Sequence, residues 1–178
     1  THPNSNVRDL FERFVPEEKR IQRLGELFDP HSVLAMAGDP EQGRQLFFGS
    51  ASQCRNCHRV KQEGGIVGPE LTEIGRKYKP EELLEAVAEP SRRIDPKYIA
   101  YSLQTTDGKV YSGILAEKSE SQVVLNVLQG NETKQVRVPI SEVEELVPQA
   151  KSIMPDQMMR DLTTQQAADL IAYLVSLK

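Results

Sequence analysis

Hydrophobic positions change their spacing twice along this 178-residue chain. Val7, Leu10, Phe11 and Phe14 recur at helical intervals near the start. Pro16 with Glu17 and Glu18 predicts the first turn of a second short helix, with Ile21 and Leu24 on its buried face and Gly25 at its end. Asp29-Pro30 reads as a break after it, and the polar residues 1–6 are expected to be loose. Asp39-Pro40-Glu41 then has the form of a helix start: an acid to cap, a proline at the first position, and a second acid at the positive end of the dipole. Gly43, Leu46 and Phe47 supply its apolar face. Gly64-Gly65 and Gly68-Pro69 mark a loop. Pro80 opens a further helix with Leu83, Leu84 and Val87 inward, and Pro90 closes it.

From Tyr98 the period drops to two. Residues 98–105, 110–115, 123–128 and 136–140 alternate and are rich in β-formers. Asp107-Gly108 and Gly130-Asn131 are the turn signals between them. These roughly 50 residues predict a small antiparallel sheet, flat or curled into a barrel. Helical spacing returns at the end. Thr163 to Gln166 forms a capping-box pattern, and Ala167, Leu170, Ile171, Leu174 and Leu177 make one apolar stripe. The expected fold is mainly α (α+β). A helical extension covers 1–37, two helical parts cover 38–97 and 148–178, and the sheet is inserted over 98–147.

Composition narrows the classes. The hydrophobic fraction of 38% supports a packed core, while the chain has no tryptophan and few aromatics. A net charge of −4 argues against nucleic-acid binding, which needs clustered cations on phosphates. Acidic residues outnumber basic ones within 98–147. Arg55, Arg59 and Lys61 instead form a basic run, which could steer an acidic partner or be an ordinary solvated surface. No apolar run approaches the ~20 residues needed to span a bilayer. No signal peptide is read, so Thr1 is expected to start a mature protein or an excised domain.

The two cysteines lie together in Cys54-Arg55-Asn56-Cys57-His58. This is C-x-x-C-H, the attachment sequence for a c-type haem. Thiols at this spacing share one helical turn, so each can form a thioether to one vinyl group of the same porphyrin. The next residue, His58, then falls beneath the iron. A thioredoxin-like pair would need a βαβ surround, and a zinc site would need four ligands. His2 and His31 lie upstream without paired spacing. A disulfide across two residues would close almost no loop. Covalent haem attachment predicts an exported, periplasmic setting.

Three stretches together resemble a class I cytochrome c with an insertion. They are residues 39–47 leading into the haem motif, Val67-Gly68-Pro69-Glu70-Leu71-Thr72-Glu73-Ile74-Gly75-Arg76, and Ser152-Ile153-Met154-Pro155 followed by 169–174. The whole chain resembles the C-x-x-C-H haem-binding domains of planctomycetes and verrucomicrobia, which are often fused to larger dehydrogenase-like or repeat domains. The resemblance implies a helical cytochrome fold around one haem c, held by Cys54 and Cys57 with His58 as proximal ligand. It implies that the Pro69 carbonyl accepts the second imidazole N–H, that Arg76 binds a haem propionate, and that Met154 is the distal iron ligand. It places Gly43, Phe47, Leu170 and Tyr173 at the crossing of the first and last helices. The alternatives are that Arg76 is one more surface charge beside Lys77 and that Met154 is a core filler. Met158 and Met159 are expected on or near the crevice wall. A distal histidine would have to be His2 or His31.

The implied function is a monohaem electron carrier, not itself an enzyme, between a periplasmic dehydrogenase and a cytochrome or oxidase acceptor. The alternative is a haem enzyme or gas sensor with a displaceable distal ligand. A third reading makes the inserted sheet the main binding module. Its simplest role is a cap over one haem edge.

Overall fold

The structure, a computed structural model, describes residues 10–12, 14–49 and 52–178. The expectations for Val7, His2 and residues 1–6 lie outside the described residues. Six helices are numbered here: α1 Pro30–Leu34, α2 Pro40–Phe48, α3 Cys54–Cys57, α4 Ile74–Lys77, α5 Pro80–Ala88 and α6 Thr164–Ser176. A short hairpin pairs β1 Arg59–Val60 with β2 Glu63–Gly64. Five longer strands follow: β3 Ala100–Thr105, β4 Val110–Lys118, β5 Gln122–Gln129, β6 Glu132–Pro139 and β7 Val143–Pro148.

The helical half is organised by one crossing. Asp39 caps α2 by accepting from the Glu41 N–H at 2.8 Å, and Pro40 occupies the first turn, where a missing donor costs nothing. Thr163 and Gln166 exchange the two bonds of a capping box at the start of α6. The two helices pack with Gly43 against the Asp169 carbonyl and the Tyr173 side chain. A Cβ at position 43 would overlap both, so only glycine lets these backbones meet. Phe47 fills the space beside the crossing, its ring centroid 5.5 Å from that of Tyr173. Burying a ring of this size contributes about 2–3 kcal/mol. Leu84, Met159, Leu162, Leu170 and Leu174 complete this core.

The sheet runs β6-β5-β4-β3-β7, antiparallel throughout. Its own core is Leu103, Val123, Leu125, Val127 and Val138. Register shifts between Leu115 and Glu117 and between Gln104 and Thr105 break the regular ladder. Irregularities of this kind bend strands and increase their twist. A third cluster of Val67, Ala100 and Ile114, with Cys57, Tyr98 and Ile153 beside it, joins the sheet to the helical half.

This architecture corrects the expected fold class. A mainly α class I cytochrome c fold with a small sheet inserted is not what the chain forms. The sheet has five strands and a core of its own, and among the described residues only α6 exceeds nine residues. Two causes are visible. The helix expected after Pro16 is a single 3-10 turn, Glu17–Lys19, and Ile21 is exposed. Beyond that turn the Leu24 and Gly25 N–H groups donate to the carbonyls of Leu162 and Arg160, 2.8 and 3.0 Å away. Tertiary pairing has taken the backbone bonds that a helix would have used. The second cause is β7, which the sequence pattern does not announce. Glu144 and Glu145 are exposed, while Val143 and Leu146 pack against the sheet core. Adjacent glutamates hide the alternation. Asp29-Pro30 is likewise more than a break, because Asp29 caps α1 through the His31 N–H at 2.9 Å.

Candidate functional site

The C-x-x-C-H segment folds as the single turn α3, with His58 as its C-terminal cap. The His58 N–H donates to the Cys54 carbonyl at 2.9 Å. This local turn sets both thiols and the imidazole beside one another. The turn is anchored on its N-terminal side by Ser52, which is buried and donates its hydroxyl to the Leu46 carbonyl at the end of α2.

The following loop is laced back to the motif. Gly65, Gly68 and Leu71 donate their N–H groups to the carbonyls of Arg55, Cys57 and Arg59, each at 2.8 Å. The lacing brings the Pro69 carbonyl 2.9 Å from His58 Nδ1. A carbonyl can only accept, so Nδ1 carries the proton and Nε2 keeps its lone pair. Gly68 makes this approach possible. A Cβ there would lie 2.6 Å from His58 Cε1, inside van der Waals contact with the ring. Burial pulls the His58 pKa below the usual imidazole value, and the Pro69 hydrogen bond opposes that pull. Both thiol pKa values are raised by burial, and that of Cys57 also by the neighbouring Cys54. A disulfide-exchange pair needs the opposite shift.

The sheet supports the same loop. Ile66 donates its N–H to Thr133 Oγ1 and receives Asn126 Nδ2 on its carbonyl, both at 3.3 Å. Strands β5 and β6 therefore clasp the residue two positions before Gly68. Ile114 of β4 and Tyr98 reach the site itself.

Cys54, Cys57, His58, Pro69 and Met154 all line one cleft. It holds about 1300 Å³ of atom-free space, its open mouth included. Phe47, Val67, Leu71, Leu83, Val87 and Leu170 make its walls overwhelmingly apolar. The Met154 segment is fixed by a short chain of hydrogen bonds. Ser91 Oγ accepts from the Ser152 N–H at 3.2 Å, and Ser152 Oγ accepts from the Met154 N–H at 3.1 Å.

Other residues fall elsewhere. Arg76 is exposed, pairs with Glu73 at 2.8 Å, and does not line the cleft. Met158 lines the cleft, whereas Met159 is buried in the helical core. Met36 and His31 are exposed and away from it. Sequence reasoning did not single out Arg93, Tyr98 or Ile114, all of which line the cleft. They arrive from the segment after α5 and from β4, and only the Arg92-Arg93 pair after Pro90 offered any local signal.

The donor set and the walls suit a haem. Two thiols and a tautomerically fixed imidazole stand on a wide apolar cleft with a thioether from another segment, which matches a flat apolar macrocycle carrying iron. Among the described residues, no group of three or more His, Cys, Asp or Glu side chains is placed to hold a bare metal ion. No protein-family model matches the chain, and neither does any curated protein.

Proposed function

We propose that this chain is a monohaem c-type cytochrome carrying single electrons from a periplasmic dehydrogenase to a cytochrome or oxidase. The observation that carries the reading is the shared cleft. Cys54, Cys57 and His58 stand together on its apolar wall with Met154, and the Pro69 carbonyl has already chosen the His58 tautomer. A bound haem would supply the one-electron Fe(III)/Fe(II) couple.

The chain's residues divide the remaining work. Cys54 and Cys57 would hold the group covalently. His58 would ligate through Nε2, with Pro69 raising its basicity. Met154 would ligate through its thioether and favour a high potential. The apolar walls exclude water, and the Ser91–Ser152–Met154 bonds keep the distal segment from drifting. Among the described residues no helix is long and apolar enough to cross a membrane. The C-x-x-C-H chemistry supports an exported setting.

The test is the oxidised spectrum of the haem-loaded protein in the red region, where a sulfur-to-iron charge-transfer band falls. The wild type shows the band and Met154→Ala loses it. The reduced wild type does not take up carbon monoxide at neutral pH, and the reduced variant does. A wild type that lacks the band and binds carbon monoxide readily would replace this reading with the enzyme or sensor alternative.

A further inference from the structure

We propose that Arg93 is the residue that holds a carboxylate of the cofactor, an assignment that rests on the haem reading above. Arg55, Arg59, Arg76, Arg92 and Arg93 all lie on or next to segments bordering the cleft, and the first two do not line it. Arg76 is engaged by Glu73 at 2.8 Å. Arg92 is engaged by Glu85 at 2.6 Å and Glu89 at 3.5 Å. Neither lines the cleft. Arg93 does, and it is the only cationic side chain among the described residues that line it. No ion pair or hydrogen bond of its side chain is formed among the described residues.

The chemistry calls for such a group. A haem would carry two carboxylates into a cleft whose walls are mostly apolar and include one acid, Asp95. An ionised carboxylate there needs a charged, hydrogen-bonding partner, and a guanidinium offers a planar fork that fits it. The segment bearing Arg93 is also well placed. Pro90 ends α5, and Ser91 is bonded to Ser152 of the Met154 segment. Arg93 thus sits two residues from the tie that links the two sides of the cleft. Asp95, the one acid lining the cleft, forms no ion pair with it among the described residues; its Oδ1 accepts from the Lys97 N–H at 2.9 Å. The other titratable groups on the walls are Tyr98, Tyr78, Cys54, Cys57 and His58.

A carboxylate beside a cation ionises one to three pH units below its ordinary range. The test is the reduction potential of the haem-loaded protein followed from pH 4 to pH 9 (roughly the range in which a released propionate titrates). In the wild type the potential is flat through the neutral range. In Arg93→Gln the carboxylate is released, its pKa rises by about one to two units, and the potential acquires a pH-dependent step that falls as pH rises. Arg93→Lys keeps the charge and restores most of the flat profile. Arg92→Gln, on the same exposed segment, behaves as wild type. An Arg93→Gln profile that superposes on the wild type overturns the assignment, as does a step that appears in Arg76→Gln instead. A wild type that takes up no covalent haem overturns both the assignment and the reading beneath it. Normal haem attachment with an unchanged Arg93→Gln profile overturns the assignment alone.

Discussion

Asp169 decides where the first and last long helices meet. It is buried, and its Oδ1 accepts from the Asp39 N–H and from Gln165 Nε2, each at 2.8 Å. Asp39 in turn caps α2, which leads into the C-x-x-C-H turn. Asp39 and Gln165 are exposed, so water can replace their donors' lost partner, and what removal of the carboxylate forfeits is two hydrogen bonds to a charged acceptor, together worth about 1–3 kcal/mol. Asp169→Ala is therefore expected to lower unfolding free energy by that amount in urea titrations, with an unchanged m-value. An unchanged midpoint would show that the bond contributes nothing. At this scale the sequence was legible wherever a placement depends on neighbours in the chain. Cys54, Cys57 and His58 share one turn, so their spacing alone brings them together. Asp169 gives no such sign, because its partner lies 130 residues away. Arg93 is hidden for the same reason. Its position on the cleft follows from packing after Pro90, while Arg76 follows Gly75 as the resemblance requires yet pairs with Glu73.

Short elements in this protein depend on their caps and turns more than on propensity. The same Asp-Pro signal opens α1 and α2, and only at the second does the sequence pattern announce a helix. The difference was the apolar run that follows. Five residues after Asp29 carry too little periodicity to recognise. The β3–β4 turn shows how side chains stabilise an element end. Asp107 accepts from the Thr105 hydroxyl and pairs with Lys109 Nζ at 2.6 Å. The hydrogen bonds from Lys109 and Thr105 hold its carboxyl down to about 2, against 3.8 for the free side chain. The folded pKa is depressed, so this turn's contribution is complete above pH 3.8 and is lost as pH falls through about 2. Following the Asp107 carboxyl by NMR should give an inflection near pH 2, moving towards the ordinary value in Lys109→Met. An inflection at the ordinary value in the unsubstituted protein would remove the pairing from the account.

The helical half and the sheet are parts of one site. Val67 and Ile114 are buried together with Cys57 at their edge, and Ile66 is held by Asn126 and Thr133. The sheet therefore supports the wall that carries His58. The strand period was legible from 98 to 140, and the terminal stripe of α6 was legible from its capping box onward. The balance between helix and sheet was not. It turned on β7, whose adjacent glutamates mask its inward Val143 and Leu146, and on the lead-in, whose backbone pairs with Arg160 and Leu162. Neither contact is local, so no window along the chain contains it. The proposal that the cleft shared by Cys54, Cys57, His58 and Met154 holds a haem makes one defining prediction: covalent retention of a single haem. The most direct measurement is the haem content of protein matured in an exporting host, before and after acid–organic extraction. The account predicts one haem per chain that survives extraction in the wild type and is lost from Cys54→Ala/Cys57→Ala. A wild type that carries no haem, or releases it on extraction, would contradict it.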